Sequence, residues 1–423
     1  MSTPTRPGAA AGPARAVVTG IGVIAPNGLG TKPWWDATLA GESGIRRLTR
    51  FEPDQYPATL AGEVLGYQAK DHLPSRLLPQ TDHMTRMALT AADWALADAG
   101  VDPATQPEYG MGVVTASASG GFEFGQRELE ALWSKGPDHV SAYQSFAWFY
   151  AVNTGQISIR NGMRGPSGVI VTEQAGGLDA LGIARRQIRK GVPLMVSGGV
   201  DGSLCPWGWV AQLTTGRLSR ATDPTRAFLP FDRDANGYVP GEGGALLIVE
   251  DAAAASARGA EPYGEIAGYA ATFDPPPGSG RPGNLRRAIE LALADAGRTP
   301  ADIGVVFADG AGTPELDRAE ADAITGVFGA GAVPVTVPKT MTGRLYSGGA
   351  PLDVAAALLT LRTGQIPPTV NVANPDPDHG LDLVTGTGRA TRADAALVIA
   401  RGHGGFNAAA VLRRYTEEET WLS

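Results

Sequence analysis

Short runs of consecutive apolar residues alternate along the chain with alanine-rich stretches of helical period. Residues 16–24 (AVVTGIGVI) read as a buried strand closing in glycine turns. Residues 85–100 (TRMALTAADWALADAG) set Met87, Leu89, Ala92 and Leu96 near helical spacing and stop at Gly100. MGVVTA (111–116), SGVIVTE (167–173) and PLMVSGGV (193–200) follow as expected central strands, because unbroken apolar runs suit a sheet covered on both faces. The second half repeats the theme. GNLRRAIELALADAG (283–297) is an amphipathic helix, IGVVFADG (303–310) a strand, and ALVIARG (396–402) another strand before a glycine turn. Each half carries an "ADAG" helix end leading to a "GVV" strand. This predicts an internal duplication joined near 252–262 or in DPPPGSGRPG (274–283), with two α/β halves packed together.

Composition narrows the classes. The 423 residues are 43% hydrophobic and 18% charged, enough apolar material for a large core and too little charge for a disordered chain. With 35 basic against 43 acidic side chains the net charge is −8, so no basic surface is expected to hold nucleic acid. No apolar run approaches the ~18 residues of a membrane span. Residues 1–14 and 417–423 are expected to be loose tails, and a single cysteine, Cys205, fits a reducing cytoplasm.

The most informative stretch is VIVTEQAGGLDALGIARRQIRKG (169–191), a strand running straight into a helix with Gln174 at the turn. Amides at a helix N-terminus carry about half a positive charge and favour a thiolate or an oxyanion there. A carboxamide does neither job as a nucleophile. Gln174 is therefore either a cap on a buried helix or the remnant of a nucleophile site.

VVTGIGVIAPNG (17–28), EQAGGLDA (173–180), PFDRDANGYVPGEGGA (230–245), DGAGTPELDRAEADAI (309–324), PKTMTGRLYSGGAPLDV (338–354) and GHGGFNAA (402–409), in this order, resemble the ketosynthases of the thiolase superfamily. The resemblance spans about residues 15–415. It implies a five-layered αβαβα fold of two duplicated halves, 15–257 and 258–416. Active members carry a Cys-His-His set. By this resemblance Gln174 stands at the cysteine, Asp309 at the first histidine and Arg344 at the second, while the supporting lysine and glutamate match Lys339 and Glu320. That pattern is similar to the chain length factor, the ketosynthase β subunit of bacterial type II aromatic polyketide synthases.

The resemblance implies no catalytic set, no bound cofactor or metal, and two partners. One is an active ketosynthase α subunit in a heterodimer, the other a phosphopantetheinylated acyl carrier protein. Lys339 and Glu320 are expected to pair in a buried turn and to serve structure. His403 is assigned to packing or gating, and Cys205 to the core or an interface, since no helix of useful length is expected after it.

The family's tunnel-gating positions match Phe122, Gly125 and Leu129, whose i, i+3, i+7 spacing shares one helical face. A helical glycine costs about 1 kcal/mol against alanine, so Gly125 asks for a reason such as space, which points to a roomy tunnel and a product of decaketide length or more. The aromatic run at 143–150 is expected in the core or, alternatively, at the centre of a dimer contact. Other readings are a decarboxylase that makes the acetyl primer from the malonyl-carrier protein through Gln174, a thiolase using Cys205, and a structural homodimer.

Overall fold

The computed structural model describes residues 14–416; residues 1–13 and 417–423, which hold the expected tails, lie outside the described residues. The first half contributes strands β1 (Ala16–Ala25), β2 (Met111–Ala116), β3 (Ser167–Ile170), β4 (Leu194–Asp201) and β5 (Gly243–Asp251). The second contributes β6 (Gly264–Phe273), β7 (Val305–Phe307), β8 (Pro334–Thr336), β9 (Ala395–Gly402) and β10 (Phe406–Arg413). Their spatial orders are β1-β5-β4-β2-β3 and β6-β10-β9-β7-β8. In each half the first strand pairs antiparallel with the last, the last antiparallel with the fourth, and the fourth, second and third run parallel. The duplication thus holds for these five strands, with the short strand Asp382–Leu383 pairing on beyond β8 in the second half alone, and β1 meets β6 at Val17–Glu265 and Val18–Gly264 to join the copies.

The helices of eight or more residues are α1 (Thr31–Ala40), α2 (His83–Asp98), α3 (Phe122–Lys135), α4 (Val152–Asn161), α5 (Gly176–Arg189), α6 (Pro206–Leu213), α7 (Leu285–Asp295), α8 (Pro314–Phe328) and α9 (Gly349–Thr363). Helix α9 is buried without a break from Gly349 to Leu361, as a helix apolar on all sides must be. It packs against β5 on one side and β9 on the other, with α5 beside it, so this pair forms the middle layer. Helix α2 covers β1, β4 and β5 from outside, α7 covers β6 and β10, and α8 packs on α7. The result is helix, sheet, helix, sheet, helix.

The "ADAG" repeat has a physical basis. A Cβ on Gly20 of β1 would lie 2.2 Å from the Ala95 carbonyl, and one on Gly268 of β6 would lie 2.2 Å from that of Ala292. Glycine lets each outer helix press onto its strand. The Asp98 carboxylate then accepts from Ile21 N at 2.8 Å, and that of Asp295 accepts from Tyr269 N at 2.9 Å. Each aspartate clamps the residue after the strand glycine.

Two expectations fail. SGVIVTE is an edge, not a central strand: β3 is short and pairs with β2 alone, leaving Val171 exposed. The aromatic run is not core either, for Tyr143, Phe146, Trp148, Phe149 and Tyr150 are 36–52% exposed. The alternative reading of that run, a contact surface, is the one compatible with its exposure.

Candidate functional site

The turn between β3 and α5 carries Glu173 at φ 55°, a left-handed conformation costly for a side chain of this size. Ser347 Oγ donates to the Glu173 carbonyl at 3.0 Å and holds the turn against the approach to α9. Gln174 follows, 3% exposed, with its Oε1 accepting no hydrogen bond. The head of α9 closes on it: a Cβ on Gly349 would lie 3.6 Å from Gln174 Oε1 and 3.7 Å from Lys339 Cε.

Asp309 and Arg344 meet in this wall as a buried fork. Arg344 Nη1 lies 2.9 Å from Asp309 Oδ2, and its Nη2 lies 3.2 Å from Oδ1. Nη1 also donates to the carbonyls of Asp309 and Gly310, each at 3.2 Å, and Nη2 to that of Arg401 at 3.3 Å. Burial opposes the charge on Arg344, but Asp309 and then Glu173 more than offset it, and the guanidinium stays above its ordinary pKa. One side chain therefore ties together β7's end, its own turn and β9's end.

Lys339 and Glu320 do not pair as expected. Lys339 Nζ bonds the Asp353 carboxylate on α9 and the Ala308 carbonyl, the latter at 3.0 Å. Glu320, on α8, instead accepts from Asp309 N at 2.6 Å and Gly310 N at 3.0 Å. The first serves the middle layer and the second the end of β7, so the two are neighbours in role and not in contact. Burial, then the Asp309 charge, push Glu320 up to about 7. Burial likewise lifts Asp353 to about 6 despite Lys339.

A cavity of 270 Å³ opens beside the fork, lined by Glu173, Tyr238, Asp309, Arg344, Tyr346 and the loop at 401–407, and not by Gln174. His403 is exposed on its rim, contrary to a packing role; its N–H donates to Glu173 Oε2 at 2.7 Å and its Nδ1 lies 3.3 Å from Arg217 Nη1.

Phe122, Gly125 and Leu129 lie on α3, outside this cavity. Phe122 stacks on Trp207 with ring centroids 4.4 Å apart and 23° between planes. A Cβ on Gly125 would meet Trp207 Cζ3 at 3.3 Å and Trp148 Cβ at 3.6 Å. The room left by the glycine is thus taken up by two tryptophans, a correction to the empty space expected there. Leu129 is 37% exposed. Trp207 had no signal of its own, since only the fold brings α6 against α3.

Cys205 caps α6, a two-turn helix where none of useful length was expected. Burial still pushes its thiol up to about 11, the direction that keeps it protonated and disfavours thiolate chemistry.

The model of the β-ketoacyl synthase N-terminal domain matches residues 14–255, and that of the C-terminal domain matches 263–373. The chain belongs to the β-ketoacyl synthase family. Among its relatives, "Actinorhodin polyketide putative beta-ketoacyl synthase 2" of Streptomyces coelicolor is 65% identical over 94% of this chain and 98% of that protein. "Tetracenomycin polyketide synthase ketoacyl synthase beta subunit" of Streptomyces glaucescens is 62% identical over 95% and 99%. The solved "ishigamide ketosynthase/chain length factor" superposes with a TM-score of 0.87 at 28% identity, covering 95% of this chain and all of that one. Within the β-ketoacyl synthases the chain falls in this β-subunit branch.

Proposed function

We propose that this chain is the chain length factor of a type II polyketide synthase, a non-catalytic partner that completes a tunnel beside an active ketosynthase α subunit. The Asp309–Arg344 fork is the observation that carries this reading. A ketosynthase decarboxylates its extender with neutral imidazole donors facing an enolate, whereas here the first position holds a carboxylate and the second spends its Nη donors on that carboxylate and three carbonyls. Gln174 supplies no electron pair for an acyl bond. The polyketide is built at the partner, on the phosphopantetheine arm of an acyl carrier protein, in the cytoplasm; this chain contributes wall.

That wall is α3 with its tryptophans. Phe122, Gly125 and Leu129 sit at the edge of an exposed aromatic surface, which a facing subunit would cover to complete the tunnel. The test is reconstitution with a ketosynthase and a phosphopantetheinylated carrier protein. Gly125→Phe, which displaces Trp207 toward that subunit, is expected to shorten the polyketide, and an unchanged length in an assembled complex removes the gating assignment. The decarboxylase reading makes the opposite demand. It requires this chain, without its partner, to release carbon dioxide from malonyl-carrier protein and to stop on Gln174→Ala; the spent donors of Arg344 argue that no release will be seen.

A further inference from the structure

At the far end of α5, ~20 Å from Gln174 by the rise of a helix, a second pocket gathers guanidinium groups. It measures 200 Å³ and is lined by Gly182, Arg185, Arg186, Arg189, Tyr269 and Asp295. Two of the three arginines share the one carboxylate at its wall. Arg185 Nη1 lies 2.6 Å from Asp295 Oδ2, and Arg189 Nη1 lies 3.6 Å from Oδ1. Arg186 is exposed and has no carboxylate within ion-pair distance among the described residues. The next acid along, Asp179, is engaged by Tyr269 OH at 2.7 Å and by Thr172.

Arg185 is the unusual member. It is 5% exposed, yet its Nε–H finds no acceptor. A buried donor left unpaired costs ~1–3 kcal/mol, and with Nη1 on Asp295 and Nη2 on the Ala267 carbonyl the Nε–H is the donor of this head left unmatched within the described residues. Burial first, with Arg189's like charge among the lesser causes, draws the Arg185 guanidinium below its ordinary pKa, the direction expected where anions are too few. Part of the arginine content is explained locally, because cations near a helix C-terminus complement its dipole. That account covers Arg186 and Arg189 on the last turn and leaves the buried Nε unexplained.

We propose that this pocket binds a phosphate-type oxyanion, free or as the phosphate of a small ester, with Arg186 and Arg189 forking the oxygens at its mouth and Arg185 at its floor. Planar guanidinium forks fit the edges of a tetrahedral oxyanion, and a surplus of positive charge supplies the attraction. The site stands apart from the fork at Arg344 and from α3, so it does not depend on the chain-length reading.

The test titrates inorganic phosphate, and in a second arm a simple phosphate monoester, into the chain co-purified with its ketosynthase. Calorimetry at constant ionic strength, with chloride as the control anion, gives the affinity. Saturable binding is expected, weakened about tenfold or more by Arg186→Gln or Arg189→Gln. These exposed positions leave the core intact, which an unchanged melting temperature without phosphate will verify. Tighter binding of the monoester assigns the site to an ester, and equal binding assigns it to free phosphate. Absence of saturation above the chloride control, or equal affinity in the wild type and both variants, overturns the proposal.

Discussion

Arg344 is a structural joint, tied through its guanidinium to Asp309, Gly310 and Arg401. Its partner Asp309 is 1% exposed, so each charge depends on the other for its solvation. Removing one member of such a pair typically costs ~3–5 kcal/mol, because the remaining ion is buried alone. Arg344→Ala and Asp309→Ala are each expected to lose that much in urea unfolding, and the double variant much less than their sum; additive losses would mean that the fork carries no coupling. The carboxyls around it set a pH dependence. Glu320 is raised to about 7 and Asp317 and Asp353 to about 6, each chiefly by burial. A raised carboxyl binds its proton more tightly folded than unfolded, so its stabilising contribution is complete below the unfolded value of about 4 and is lost as pH rises through the folded value. Stability should therefore fall between about pH 4 and about pH 7, less steeply in Glu320→Gln. Glu242 does not disturb this window, since His83 and Arg50 overcome its burial and hold it at about 2. A urea midpoint that is flat or rises across that range would contradict the assignment.

At the scale of elements, α3 and α6 act as one unit. The Trp207 backbone N–H donates to Gln126 Oε1 at 2.8 Å while its ring covers Phe122 and Gly125. Trp207→Ala should open the wall and lengthen, or spread, the polyketides made by the reconstituted complex, with circular dichroism unchanged; a product profile identical to wild type would show that the ring does not border the tunnel. Most elements were legible beforehand because their signals are local. The 16–24 run gave β1, the helical spacing of Met87 to Leu96 gave α2, and the "ADAG" ends marked the repeated aspartate clamp. What was not legible depends on neighbours far along the chain. An apolar run at 167–173 cannot say whether a second strand will flank it, and β3 has none among the described residues. Likewise nothing in the spacing of Lys339 and Glu320 reveals that Asp353 of α9 stands nearer to the ammonium.

At the scale of the whole molecule, one flank of the first half is unfinished. The sheet ends in the open strand β3, and the aromatic run with Leu129, Trp133, Trp207 and Val210 leaves large apolar side chains exposed on the described surface. Trp133 is 83% exposed, a costly state for an indole in water. Monomeric proteins rarely leave extended apolar patches open, and aromatic anchors dominate the energy of interfaces. A stable contact of standard size covers ~800 Å² on each partner, an area that large aromatic residues fill efficiently. Expressed alone, the chain should self-associate through this flank, and co-expression with its ketosynthase should replace those aggregates by a heterodimer on size-exclusion chromatography. Within the flank, Trp148 and Phe149 stand out, the first beside Gly125 of α3 and the second 52% exposed. Truncating an aromatic hot spot costs ~2 kcal/mol or more, about a thirtyfold loss in affinity. Phe149→Ala is accordingly expected to shift the complex toward free subunits at micromolar concentration, whereas Leu291→Ala, an exposed apolar side chain on α7 of the other half, should leave it assembled. If the two variants dissociate alike, or neither does, the ketosynthase docks elsewhere and α3 cannot border its tunnel.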